Sequence, residues 1–242
     1  MIKRSFDIIV SLTGLLFLLP IIILLMIIIW MQDFHSPFYM APRVGKGGKI
    51  FKMIKFRSMV MNADLSGVDS TSRNDPRITL IGHFIRSYKL DELPQLFNVL
   101  IGDMSFVGPR PNVKRDIDIY TNVEKILLDL RPGITDFASI VFSDEGVILQ
   151  NSSNPDIDYN QLIRPWKSRL GLVYVANKSL SLDIRLIILT IGAIFYTERA
   201  LKGVCNILVQ FGVDQLLIEV SKRNHKLSPY PPPGSNEIVL SR

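Results

Sequence analysis

The sequence predicts a mostly α-helical fold with one small β-hairpin, attached to a membrane through its first segment. Three observations point there. The chain opens on a long apolar run, a glycine cluster at 45–48 separates two β-rich stretches, and helical spacing of apolar residues governs most of the remaining chain.

From Phe6 to Met31 the one charged residue is Asp7, and Leu12–Met31 is apolar apart from Thr13, Gly14 and Pro20. A run of about 20 such residues matches the hydrocarbon thickness of a bilayer. Lys3 and Arg4 precede it, as in a signal peptide, but Trp30-Met31-Gln32-Asp33 stands where a small-x-small cleavage site would be needed. Pro20 removes a backbone donor in mid-run, so a kink is expected there. Basic residues lie on both flanks, and no Asp or Glu occurs between Phe34 and Arg57. The positive-inside rule asks both flanks to be cytoplasmic, which favours a helix that dips in and returns. Proline is also tolerated in spanning helices, so on the residues alone both topologies stay open.

Pro37–Arg43 and Lys49–Arg57 flank Gly45-Lys46-Gly47-Gly48 and predict a hairpin with a glycine turn. Met61–Pro76 is polar and predicts a surface loop. Ile78–Arg86 and Leu90–Leu100 carry helical spacing, with a turn at Gly102-Asp103. Gly108-Pro109-Arg110-Pro111 predicts a stiff extended loop, because each proline fixes its own φ and restricts its predecessor. Asp116–Leu130 predicts one amphipathic helix; Pro165–Asn177 reads as another with proline at its first position, its Val and Tyr content leaving a strand as the alternative. Leu182–Tyr196 is apolar enough to lie at the bilayer surface, a buried core helix being the alternative. Leu201–Val220 predicts one more helix. The proline-rich tail from Ser228 is expected to be disordered.

Among 242 residues the single Cys205 excludes an internal disulfide and predicts a packing role. His35, His83 and His225 are scattered, which speaks against a zinc site or a Ser-His-Asp triad. The net charge of +6 adjoins the apolar run and lacks an aromatic-studded groove, so it predicts anionic lipid or anionic substrates and no nucleic acid.

The candidate chemistry is acidic and basic. Asp91-Glu92 is an adjacent carboxylate pair at a helix start, with Arg86 and Lys89 beside it. A carboxylate can attack phosphorus to give an acyl phosphate, and its neighbour can hold Mg²⁺ together with substrate phosphates. Arg110, clamped between prolines, is a pre-organised fork for phosphate, and Lys55 and Arg57 sit on the basic hairpin. An acidic pair in a first helical turn also complements the helix dipole, so the pair alone does not define a catalyst.

Five blocks in order carry a resemblance. They are Lys55-Phe56-Arg57-Ser58-Met59, Asp75-Pro76-Arg77-Ile78-Thr79, Leu90-Asp91-Glu92-Leu93-Pro94-Gln95-Leu96, the run Gly102–Pro111, and Arg131-Pro132-Gly133-Ile134-Thr135. From the N-terminus to about Tyr196 the chain resembles the bacterial sugar transferases, the monotopic phosphoglycosyl transferases. The resemblance implies a monotopic membrane protein. A re-entrant helix over residues 1–33 would turn at Pro20, a transferase domain over 34–200 would face the cytoplasm at the inner membrane, and a C-terminal helix and tail would occupy 201–242. It also implies Asp91 as nucleophile, Glu92 as Mg²⁺ carboxylate, and Lys55, Arg86 and Arg110 as phosphate or substrate contacts. The implied partners are a UDP-sugar, polyprenyl phosphate and membrane lipid, with a homodimer compatible and the sugar left open.

The sequence departs from that pattern twice. Leu19 precedes the kink proline where many relatives have serine, and Asp136-Phe137-Ala138-Ser139-Ile140 replaces a Gly-Trp-Ala-Gln-like run in a region suited to sugar choice. The rival reading is a non-enzymatic, single-pass basic adaptor. It accounts for the apolar run and the hairpin, but not for a carboxylate pair beside a proline-clamped arginine.

Overall fold

The computed structural model describes residues 2–241; positions 1 and 242, which end the first segment and the expected tail, lie outside the described residues. Helix α1 (Ile2–Trp30) runs without interruption through Pro20. Strands β1 (Phe38–Val44) and β2 (Ile50–Phe56) form the antiparallel hairpin, in the register Phe38 opposite Phe56 and Val44 opposite Ile50. Its tip needs the glycines, since Gly47 and Gly48 both lie at positive φ. After an irregular loop come α2 (Leu80–Ser87), capped by the Thr79 hydroxyl, a single 3₁₀ turn over Leu90–Glu92, and α3 (Gln95–Ile101).

A second, parallel pair joins β3 (Ser105–Val107) to β4 (Gly133–Thr135), which the sequence pattern does not predict. Between them lie α4 (Lys114–Asp118) and a 3₁₀ segment over Glu124–Asp129. The single helix expected over Asp116–Leu130 is therefore corrected to two short pieces. The reason is local: the Thr121 hydroxyl accepts from the Glu124 N–H at 3.1 Å, and Glu124 accepts from the Thr121 N–H at 3.0 Å. That reciprocal pair is a capping box, and it starts a new turn where the first helix would have continued. Glu124 is then fully buried against Arg164 and Ser168, which fixes this segment to the helix that begins at Arg164.

Short helices α5 (Phe137–Val141), α6 (Glu145–Ile148) and α7 (Pro155–Asp158) precede a π turn over Tyr159–Ile163 and then α8 (Arg164–Asn177). Next come α9 (Leu180–Phe195), α10 (Thr197–Gln210) and α11 (Gln215–Lys222). The last two correct the single helix expected over Leu201–Val220. Gly212 at φ +65 ends the first of them, as a glycine just past a helix C-terminus does. The main core gathers α5, α8, α9, α10 and α11 around Phe137, Ile163, Leu170, Leu186 and Leu208, and Cys205 is buried within it. The tail expected to be disordered lies along α8. Tyr230 stacks on Trp166 with ring centroids 4.3 Å apart, and Arg169 donates to the Pro231 carbonyl at 2.9 Å.

Helix α1 is fastened to this body at both ends. In its first turns Lys3 pairs with Asp183 and donates to the Val107 carbonyl at 3.0 Å. Arg4 donates to the carbonyls of Val99 and Leu100, and the buried Asp7 accepts from the Ser105 hydroxyl at 2.8 Å. Near its other end Leu25 and Ile29 pack with Phe56 and Ile85. Much of the face between remains uncovered, with Leu16 and Phe17 at 66% and 82% exposure. A helix so apolar, with so little of its apolar stretch buried in the protein, has lipid as its natural surroundings.

Candidate active site

Two devices bring the site together. The first is Asn98 on α3, which is buried and brackets the free edge of β2. Its side-chain carbonyl accepts from the Ile54 N–H at 2.9 Å, and its amide donates to the Lys52 carbonyl at 2.8 Å. Strand β2 carries Lys55, and the 3₁₀ turn leading into α3 carries Asp91 and Glu92, so one side chain sets the lysine against the carboxylates. The second device is a backbone crossing between Gly108 and Gly133. Gly108 donates to the Thr135 carbonyl and Gly133 to the Pro109 carbonyl, both at 3.1 Å. A Cβ on Gly133 would lie 2.1 Å from the Gly108 nitrogen, so no other residue fits. That crossing presents Arg110.

Arg110 reaches both oxygens of Glu92, closely at Oε1 and at 3.2 Å at Oε2, and donates to the Ile134 carbonyl at 3.3 Å. Lys55 donates to Glu92 Oε1 at 3.0 Å. Burial alone would raise the Glu92 pKa, but the charges of Arg110 and Lys55 outweigh it and hold the carboxyl well below the usual range. Glu92 therefore stays ionised. Its neighbour is placed otherwise: Asp91 is buried, and the nearest cation, Lys55, stands 3.7 Å away. Among the described residues no hydrogen bond reaches the Asp91 carboxylate. One carboxylate is locked by hydrogen bonds, and the other meets Lys55 as a longer ion pair.

Behind Arg110 lies a concave wall of Asn112, Tyr120, Asp136, Lys167 and Ser168. Lys167 pairs with Glu145. Asp136 caps α5 by accepting from the Ser139 N–H at 2.7 Å, and burial raises its pKa despite that bond. Sequence reasoning assigns no role to Glu145 or Lys167. Neither stands in a motif, and only the fold brings them to Arg110.

Of the residues expected at the site, Lys55, Asp91, Glu92 and Arg110 are brought together. Arg57 is not brought to the carboxylates: its guanidinium is held bidentately by Asp33 and donates to the Ser36 carbonyl at 2.9 Å, tying the hairpin to the segment after α1. Arg86 stands in the last turn of α2 with its guanidinium 3.4 Å from the Ser58 hydroxyl, and among the described residues no hydrogen bond or ion pair joins it to those four. Pro20 lies within α1, apart from the site.

An Mg²⁺ ion would be met by oxygen donors on one turn. A carboxylate offers about four lone-pair positions, and the three bonds to Glu92 leave room for one more ligand contact. Magnesium commonly takes one or two carboxylates and completes its shell with substrate phosphates and water, so the residues fit.

The profile of the family described as bacterial sugar transferase matches residues 1–197. The exopolysaccharide production protein ExoY of Sinorhizobium fredii is 33% identical over 207 residues, covering 79% of this chain and 84% of the relative. The UDP-galactose-lipid carrier transferase of Erwinia amylovora is 35% identical over 216 residues. The undecaprenyl-phosphate galactose phosphotransferase of Salmonella typhimurium is 37% identical over 219 residues. Each of these two alignments covers 82% of this chain but spans 41% of the longer relative. None of these names is that of a non-enzymatic adaptor. With the profile extending from the apolar helix to the end of α9, the chain belongs to the bacterial sugar transferase family.

Proposed function

We propose that the chain transfers a phosphosugar from a UDP-sugar to undecaprenyl phosphate at the cytoplasmic face of the inner membrane, through a covalent intermediate on Asp91. The observation that carries this reading is the contrast within the carboxylate pair. Glu92 is neutralised by Lys55 and Arg110, whereas the buried Asp91 beside it has no hydrogen bond to weaken its oxygens as nucleophile.

In the first half-reaction an Asp91 oxygen attacks the β-phosphorus of the donor. The bond from that phosphorus to the bridging oxygen breaks, and UMP departs with the electron pair. In the second, an oxygen of the lipid phosphate attacks the same phosphorus and the Asp91 carboxylate leaves, giving an undecaprenyl diphosphate sugar. Lys55 and Arg110 are placed to exchange part of their hold on Glu92 for the phosphate oxygens, which suits a loose transition state with its charge spread over oxygen. Glu92 would hold Mg²⁺, which when bound supplies charge neutralisation on the diphosphate. The lipidic acceptor and the soluble donor require a site at the interface. Fastening of both ends of α1 to one body supports a helix whose two ends lie on the same side of the membrane, as a monotopic protein needs.

The test is UMP release by purified protein in detergent from a panel of UDP-sugars, with undecaprenyl phosphate and Mg²⁺. Release with at least one donor, lost in EDTA and restored by Mg²⁺, is expected. Full activity in EDTA would remove the metal role of Glu92, and no release with any donor would remove the reading.

A further inference from the structure

We propose that the C-terminal segment, residues 228–241, is a positioning strap: it backs the concave wall beside Arg110 and so sets how firmly the sugar of the donor is held. This role rests on the transferase reading above and deepens it. The segment lies beyond residues 1–197, so the family profile assigns it nothing.

Adjacent residues of the same elements serve the cavity and the strap. On α8, Lys167 and Ser168 line the cavity. Trp166 and Arg169, which flank them, hold the strap. Trp166 stacks on Tyr230, and the Arg169 guanidinium lies 4.8 Å from the Tyr230 ring centroid while donating to the Pro231 carbonyl. The opposite side repeats the pattern. Tyr120 lines the cavity, and the Thr121 hydroxyl next to it donates to the Pro233 carbonyl at 2.5 Å. Gln161 then ties both limbs of the strap: its carbonyl accepts from the Tyr230 N–H at 3.0 Å, and its amide donates to the Val239 carbonyl at 2.6 Å.

A chain of bonds carries this hold to the cavity. The Thr121 hydroxyl has one proton, and with that proton on Pro233 its oxygen accepts from the Glu124 N–H at 3.1 Å. Glu124 in turn accepts from the Ser168 hydroxyl at 2.7 Å, and Ser168 lines the cavity. Without Pro233 the Thr121 proton is free to rotate, and the capping box that orients Glu124 loosens.

The strap is built to dock. Pro231-Pro232-Pro233 fixes three successive φ angles, so docking costs little chain entropy, and Pro232 and Pro233 are buried. Gly234 turns the chain at φ +84, and a Cβ there would lie 2.6 Å from Val123 Cγ2. A larger residue at 234 is therefore strained in its backbone and crowded by Val123.

The wall itself suits a sugar. Tyr120, Asn112, Lys167 and Asp136 offer hydroxyl, amide, ammonium and carboxylate groups, the mixture of donors and acceptors that sugar hydroxyls bond. It adjoins Arg110, which the proposed reaction sets against the donor phosphates, and the sugar is bonded to the β-phosphate.

Full-length protein in detergent, in a Trp30→Phe background that leaves Trp166 as the one tryptophan, would be compared with Tyr230→Ala, Tyr230→Phe and Gly234→Val in the same background. Trp166 emission should shift in Tyr230→Ala and stay at the parent position in Tyr230→Phe, which keeps the stacked ring. Each protein is titrated in a calorimeter with UDP, UDP-glucose, UDP-galactose and UDP-N-acetylgalactosamine. The Kd for the tightest-bound UDP-sugar should rise about fivefold in Tyr230→Ala and Gly234→Val, as loss of one neutral hydrogen bond implies. The Kd for UDP, which lacks the sugar, should stay at the parent value, and Tyr230→Phe should match the parent for both ligands. In the UMP-release assay the KM for that donor should rise likewise, with kcat and the KM for undecaprenyl phosphate unchanged. The same factor of change for UDP and the UDP-sugar, or no change in either, would overturn the role and leave the strap a stabilising contact only. An unshifted Trp166 emission in Tyr230→Ala would overturn the docking itself. If the parent binds a UDP-sugar but releases no UMP, the transfer reading fails while the Kd comparison still decides on the strap. If it binds none of them, both fail.

Discussion

Asn98 accepts from the backbone N–H of Ile54 at 2.9 Å, and through that bond α3 is locked to the strand that carries Lys55. The same side chain satisfies the Lys52 carbonyl, so two backbone groups on the outer edge of β2 depend on one buried amide. Asn98→Leu keeps the volume but leaves both groups unpaired in an apolar setting, at a cost of about 2–4 kcal/mol. We predict a lower midpoint in urea. We also predict a loss of UMP release measured under conditions where the variant is still folded, because Lys55 loses its register against Glu92. Wild-type activity in a folded Asn98→Leu protein would show that the strand is positioned by other means.

The pairing of Lys3 with Asp183 and the packing of Leu25 and Ile29 on Phe56 and Ile85 hold both ends of α1 to one body. Cysteines at Ile2 and at Lys46, each placed singly in a Cys205→Ser background, should resist a membrane-impermeant thiol reagent in intact cells. Both should react once the cells are opened. Labelling of position 2 from outside would mean a spanning helix. Pro20→Ala restores a backbone donor and should move some molecules toward spanning if the proline sets the topology. If both cysteines stay protected, the anchoring contacts of Lys3, Arg4 and Asp7 set it instead.

Asp136 offers a test of the buried wall behind Arg110. Burial raises its pKa above the ordinary aspartate value, so the folded state disfavours the ionised form. By linkage, the fold is unpenalised below the unfolded pKa and loses stability as pH rises through the raised folded value. Asp136→Asn keeps an acceptor for the Ser139 N–H and removes the charge. It should therefore raise Tm at neutral pH, and the gain should shrink toward zero as pH falls below the ordinary aspartate range. A gain independent of pH would assign the effect to something other than ionisation.

Much of this architecture is legible in the residues, and each failure has a local cause. The hairpin is announced by Gly45–Gly48, and the start of α8 by Pro165. The break between α4 and the 3₁₀ segment beyond it is also present in the residues, as the Thr121-x-x-Glu124 pattern, but the apolar spacing of Asp116–Leu130 masks it. Gly212 likewise marks the end of α10 inside a run that reads as continuous helix. The β3–β4 pair is not legible, because two three-residue strands joined from distant parts of the chain leave no periodicity to detect. At the site, Lys55, Asp91, Glu92 and Arg110 stand out by their chemistry and the fold unites them. Arg57 carries the same chemistry but is held by Asp33, and only the path of the chain after α1 decides that. The tail is ordered through Tyr230 and backbone carbonyls, which composition alone does not reveal.

In the proposed reaction Asp91 becomes covalently bound to the phosphosugar. A ping-pong reaction has a consequence that a single displacement lacks, since the first half-reaction runs in both directions without the acceptor. The measurement is exchange of labelled UMP into the UDP-sugar by purified protein with Mg²⁺ and no undecaprenyl phosphate. Exchange is expected at a rate comparable to turnover, with a loss of several orders of magnitude in Asp91→Asn. Full transfer activity with no exchange, or exchange that persists in Asp91→Asn, would contradict it.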